Sequence, residues 1–172
     1  MTNYELVTTG FRELTKALVP FVITQLQNQY QGQWWNNGVI GSLAPEQQIG
    51  LPVGGTKEQM EKSLDLARCL YIIDRQWGMV FRQKLSREHR SWVTELINTR
   101  NDWAHKGVED MDESNAYRAL DTMARLVESI DGEVYESIRK CANLVRYKTE
   151  GPSVEAPVKL AQQLEIDRKS VV

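Results

Sequence analysis

Arg100, Asn101 and His105 are the side chains of this sequence whose types and spacing could do chemistry. An imidazole takes or gives a proton near neutral pH, a guanidinium neutralises charge growing on phosphorane oxygens, and an amide can orient either. Together they suffice for phosphodiester chemistry without a metal. All three lie on the run Ser91–His105, which reads as helix. Projected at about 100° per residue with Trp92 at zero, Trp103, Leu96, Val93, Ala104 and Ile97 form an apolar stripe between about 20° and 140°. Arg100 falls near 80°, in the middle of that stripe, and Asn101 and His105 share its edge near 180° to 220°. A guanidinium aimed at a core or an interface needs an acidic neighbour, carbonyls or an anionic ligand. Either Arg100 makes a core salt bridge, with Asp74 and Asp121 as candidate partners and His105 complementing the helix C-terminus, or the margin of the stripe holds a phosphate.

Other apparent motifs fail on chemistry. Gly50-Leu51-Pro52-Val53-Gly54-Gly55-Thr56-Lys57 has the glycines of a phosphate loop, but the order Gly-Thr-Lys puts the lysine after the hydroxyl, and no strand precedes it. Two histidines and two distant cysteines, Cys69 and Cys141, give neither zinc spacing nor a disulfide framework, so no metal and no cofactor is expected. No serine sits in a Gly-x-Ser-x-Gly turn.

The elements that must position the set read as helices throughout. Val7, Phe11, Leu14, Leu18 and Phe21 mark an amphipathic helix over Tyr4–Tyr30, with Pro20 expected to kink or break it. Gln31–Gly55 carries six glycines and two prolines and reads as a long connection, whose Trp34 and Trp35 are expected to pin it to the core rather than stack on a base. Thr56 and Gln59 form a capping box for one helix through Ile73, and Gly78 separates it from a segment ending at Leu85. Ser86 caps the central helix, which ends in a cationic turn at His105-Lys106 with Gly107 after it. Asp112 or Ser114 opens a fifth segment, with Tyr117, Leu120, Met123, Ala124, Val127 and Ile130 on one face. A last helix from Gly132 groups Val134, Ile138, Cys141 and Val145. The expected organisation is an all-α domain over residues 1–148 and a polar tail or linker over 149–172.

Composition narrows the function class. Of 172 residues, 41% are hydrophobic and 26% charged, so the chain can bury a core. With 21 basic and 23 acidic side chains the net charge is −2, which argues against holding nucleic acid by bulk positive charge, and any RNA contact must be local. No leader pattern and no membrane-length apolar run is present, so a cytoplasmic location and no membrane partner are expected.

Arg100-Asn101-Asp102-Trp103-Ala104-His105 near the end of a helix in an all-helical chain resembles the HEPN superfamily, whose mark is Arg, a polar residue, and His after four to six positions. Arg82 and His89 repeat the spacing, but they straddle the helix boundary at Ser86 and have Gln83 after the Arg, which makes them the decoy. Leu18-Val19-Pro20-Phe21, Trp34-Trp35, a Trp77–Phe81 helix and Ala116–Met123 extend the resemblance over residues 4 to 130. They look like the subgroup found at the N-termini of large prokaryotic ATPases and helicase-like proteins, often linked with phage defence, and related to an RNA surveillance endonuclease.

That resemblance implies a HEPN-like helical bundle with a long Trp-containing loop after the first helix. It implies a homodimer whose motif helices face each other and an RNA substrate cut without metal. His105 would be the general acid or base, Arg100 would stabilise the phosphorane, and Asn101 would orient His105 or a phosphate. Products would be a 2′,3′-cyclic phosphate and a 5′-hydroxyl. A larger ATPase or helicase, or an antitoxin, would be a further partner. Two functions stay open: a metal-independent endoribonuclease of a defence or toxin system, or a non-catalytic dimerisation or RNA-binding module that assembles a larger complex.

Overall fold

Asn3–Tyr30 forms a single helix of 28 residues, α1, around which the rest of the chain packs. The structure, a computed structural model, describes residues 1–105 and 109–150. Every amide at the start of α1 is satisfied. Thr2 Oγ1 accepts from the Glu5 N–H at 3.1 Å, and Glu5 returns a carboxylate to the Thr2 N–H at 2.7 Å. Asp110, from the far side of the chain, accepts from the Asn3 and Tyr4 N–H groups at 3.2 and 2.7 Å. Leu6, Val7, Phe11, Leu14, Leu18, Val22 and Leu26 are buried along one face, the stripe that their spacing predicts. Pro20 does not break α1. It is exposed, so the carbonyl left without its donor one turn earlier can take water instead.

The connection after α1 is less open than its glycines suggest. Gln31–Gln33, Ile40–Ser42 and Pro45–Gln48 form short 3-10 helices, and Trp34–Val39 forms a turn of π-helix. Trp34 and Trp35 are buried edge to face at 5.6 Å, and the Trp35 indole donates to the Pro52 carbonyl, so they pin the segment to the core as expected. Arg68 holds the segment from the other side by donating to the Gln47 and Ile49 carbonyls.

The helix expected over Thr56–Ile73 is two helices, α2 (Lys57–Ser63) and α3 (Leu66–Arg75). Thr56 and Gln59 do form the capping box. The break comes at Leu64, whose extended backbone lets both Leu64 and Leu66 reach the core, and Asp65 then caps α3 by accepting from the Arg68 N–H at 2.9 Å. The segment expected as a helix over Trp77–Phe81 consists of turns leading into a 3-10 helix at Phe81–Gln83.

Arg87–His105 is α4, Glu113–Val127 is α5 and Gly132–Glu150 is α6. Asp112 caps α5 through the Asn115 N–H at 2.9 Å, and Asp131 Oδ1 accepts from Glu133 and Val134 at the start of α6. α1 packs against α3, α5 and α6, and its approach to α5 is close: a Cβ on Gly10 would lie 2.5 Å from Leu120 Cδ2. α4 is therefore not central. It lies across α3 and α5, and of its residues only Val93 and Leu96 are fully buried. The described residues contain six α-helices and no strand, and no helix among them is long and apolar enough to cross a membrane. The tail expected over 149–172 falls, from residue 151 on, outside the described residues, as do Lys106 and Gly107.

Candidate active site on α4

α4 leaves the core as it proceeds. Val93 and Leu96 are buried, Ile97 and Trp103 are half-buried, and Ala104 and His105 are exposed. The apolar stripe is thus covered at its start and open at its end. Arg100 sits half-buried in the open part.

The salt bridge expected to Asp74 or Asp121 is absent. Asp74 faces Arg90 at 3.6 Å, and Asp121 pairs with Arg125 at 2.8 Å and Arg139 at 2.6 Å. Burial works to raise the Asp121 carboxyl, but the hydrogen bonds from Arg139 and Arg125 outweigh it and hold the group below the usual carboxylate range. Of the half-buried arginines, Arg68 and Arg139 have carboxylate partners, whereas Arg100 has no hydrogen bond or ion pair with any described residue. Asn101 and His105 are likewise unengaged among the described residues.

Trp103 anchors this end of α4. Its indole Nε1–H donates to Thr8 Oγ1 at 3.1 Å, its ring stacks on Tyr4 at 5.5 Å, and Phe11 meets it edge-on at 5.3 Å. The motif therefore rides on a helix end that α1 holds in place.

A cleft of about 490 Å³ opens between α4 and α5. His105 and Trp103 line it with Asn98 and Asp102 on the α4 side, and Asn115 and Arg118 stand on the α5 side. Arg100 and Asn101 lie outside it. His105 is five positions after Arg100, so within one chain they diverge by about 140° around the helix. One copy does not close them on a common point.

Of the decoy pair, His89 is engaged in structure and Arg82 is exposed. Arg82 lies in the 3-10 helix before α4, and His89 is in the first turn of α4. The Ser86 N–H donates to His89 Nδ1 at 3.1 Å, and Nε2 meets Ser129 Oγ at 3.2 Å. A backbone N–H can only donate, so Nδ1 accepts and the ring is neutral with its proton on Nε2. Burial lowers the His89 pKa, with Glu88 pulling weakly the other way.

Sequence reasoning missed Asn98 and Asp102. They precede His105 by seven and three positions, so a helical projection already places all three on one edge. Among the described residues no group of three His, Cys, Asp or Glu side chains could hold a metal ion. Cys69 and Cys141 are buried and free, and burial pushes both thiols up.

The sequence model of a family described as Swt1-like HEPN matches residues 9–131, more than two-thirds of the chain. The match takes in α4 with its motif and all of α5, and ends just before α6. No curated protein and no solved structure matches.

Proposed function

The chain belongs to the Swt1-like HEPN family, and on that premise we propose that it is a metal-independent endoribonuclease domain whose site is completed by a second copy of itself. The observation that carries the reading is Arg100, half-buried on the open end of an apolar stripe and without a partner among the described residues. A guanidinium held partly out of water without a carboxylate is matched by an anion, and a phosphodiester supplies one. The divergence of Arg100 and His105 on one helix favours a twofold arrangement, in which two α4 helices bring Arg100 of one copy towards His105 of the other.

In that arrangement one His105 takes the proton from a ribose 2′-hydroxyl. The 2′-oxygen attacks phosphorus, the bond to the 5′-oxygen breaks, and the second His105 protonates the leaving oxygen. Arg100 neutralises the charge that develops on the phosphorane, and Asn101 orients His105 or a phosphate oxygen. The products are a 2′,3′-cyclic phosphate and a 5′-hydroxyl. A defence or toxin-like role, with a larger ATPase or helicase or an antitoxin as partner, is the setting that fits such a domain.

Incubating the purified chain with RNA in EDTA, wild type against His105→Ala, tests this. Cleavage by the wild type alone, leaving cyclic phosphate ends, is the expected result. A rate that follows added magnesium or manganese, or ends bearing 5′-phosphate, would mean different chemistry. If a dimer cuts no RNA, the domain is instead a dimerisation or RNA-binding module.

A further inference from the structure

We propose that the cleft between α4 and α5 is a guanine subsite that places the nucleotide on the 5′ side of the scissile bond, with Asp102 as the residue that selects the base. The proposal rests on the ribonuclease reading, because His105 lines the same cleft.

The cleft is sized and built for a small planar ligand. Its volume of about 490 Å³ lies within the range of ordinary ligand sites, about 300–1,000 Å³. Trp103, held by Tyr4, Phe11 and Thr8, gives the cleft a fixed aromatic side chain in its lining. Across the cleft, Arg118 Nε donates to Glu95 at 2.6 Å and pairs the two charges. Asn115 is committed to Asp112. Along the α4 edge, Asn98, Asp102 and His105 line the cleft without side-chain partners among the described residues.

Their chemistry discriminates among bases. A carboxylate only accepts, and it accepts best from two adjacent donors. Guanine alone offers that pair, N1–H beside the N2 amino group. Adenine and cytosine set one amino group beside an acceptor, and uracil sets one N–H between two carbonyls. The Asn98 amide can donate to guanine O6 or N7. Charge agrees with a base rather than a phosphate in the cleft, since the Glu95–Arg118 pair cancels and Asp102 remains. Asp102 and His105 are about 4.5 Å apart along the helix axis and on one edge, within the span of a single nucleotide. A guanine on Asp102 therefore presents its own ribose to His105, and cleavage leaves guanosine 2′,3′-cyclic phosphate.

Two measurements test this, one of them independent of cleavage. The sites cut in a mixed-sequence RNA should lie after G, and Asp102→Asn should lower the ratio of cuts after G to cuts after A by roughly tenfold or more. In parallel, 3′-GMP, 3′-AMP, 3′-CMP and 3′-UMP are titrated while the Trp103 indole N–H resonance is followed. 3′-GMP should bind most tightly, shift that resonance, and lose its advantage in Asp102→Asn. Asp102 is exposed and without a partner among the described residues, so the variant is expected to fold. Cleavage that ignores the base, or a G preference that survives Asp102→Asn, overturns the subsite and leaves the ribonuclease standing. If no RNA is cut, the ribonuclease reading falls and the titration decides: selective 3′-GMP binding that depends on Asp102 sustains the guanine site, and equal or absent binding ends it.

Discussion

Thr8 and Trp103, 95 positions apart in the chain, are joined by a hydrogen bond of 3.1 Å from the indole N–H to the threonine hydroxyl. This contact, with the stack on Tyr4, fixes the motif end of α4 against α1. Thr8→Val removes the acceptor of the indole N–H together with the hydroxyl's own donation to the Tyr4 carbonyl, and should cost about 1 kcal/mol. Trp103→Ala also removes the ring contacts and should cost about 3 kcal/mol. Urea unfolding of the two variants checks the order. A Trp103→Ala protein as stable as the wild type would mean that the anchor contributes nothing.

Arg100→Ala should abolish cleavage while changing stability by less than about 1 kcal/mol, because no described carboxylate is stranded by it. Arg139→Ala is the contrast: it removes one of the two guanidinium groups on Asp121 and should cost about 1–2 kcal/mol. Arg82→Ala should leave both stability and cleavage unchanged. Thermal melts and RNA digestion on the same samples separate these outcomes, and an Arg100→Ala protein that unfolds would show that the arginine has a structural partner after all.

His89 makes the fold sensitive to mild acid. Its folded pKa is lowered, chiefly by burial, so as the pH drops the unfolded chain binds the proton first. The stabilisation is fully present above the unfolded value, about 6.5, and is lost as the pH falls from there through the folded value. Because the ring is only partly buried, solvent screens the effect, which amounts to about a few tenths of a kcal/mol. His89→Gln keeps a side-chain acceptor near the Ser86 N–H and should flatten the melting temperature between pH 7 and 5. An identical slope in wild type and variant would assign the acid sensitivity elsewhere.

Association through α4 predicts a dimer at micromolar concentration. Sedimentation should give a species of twice the 19.8 kDa chain mass, and Ala104→Glu, on the exposed end of the apolar stripe, should shift it to monomer. A wild-type protein that sediments only as monomer would remove the composite site.

The features legible in the sequence were those with a local cause. Thr56 and Asp112 announce helix starts because a cap is written in a few adjacent residues, and the face of α5 follows from its period. The break at Leu64 was not legible. Asp65 looks like an ordinary polar surface position until Leu64 and Leu66 are both seen to need the core. Asp110 was invisible for a different reason, since its partners are the amides of Asn3 and Tyr4, far away in the chain. The position of Arg100 on the apolar stripe was readable from spacing, but its lack of a carboxylate was not: Asp74 and Asp121 were taken by Arg90, Arg125 and Arg139 in three dimensions.

The cap that Asp110 places on α1 sets a clock on the chain's birth. Asn3 leaves the ribosome long before its carboxylate partner, and at about 5–20 residues per second the intervening 107 positions take about 5 to 20 s to make. Through that interval α1 has its own Thr2–Glu5 box but lacks half of its N-terminal partners, and Trp103, emerging just before Asp110, finds Tyr4 and Thr8 on a helix end still free to fray. The end of α4 therefore sets only after Asp110 has been made, so a nascent chain that already carries the Arg100–His105 motif does not yet present it in working order.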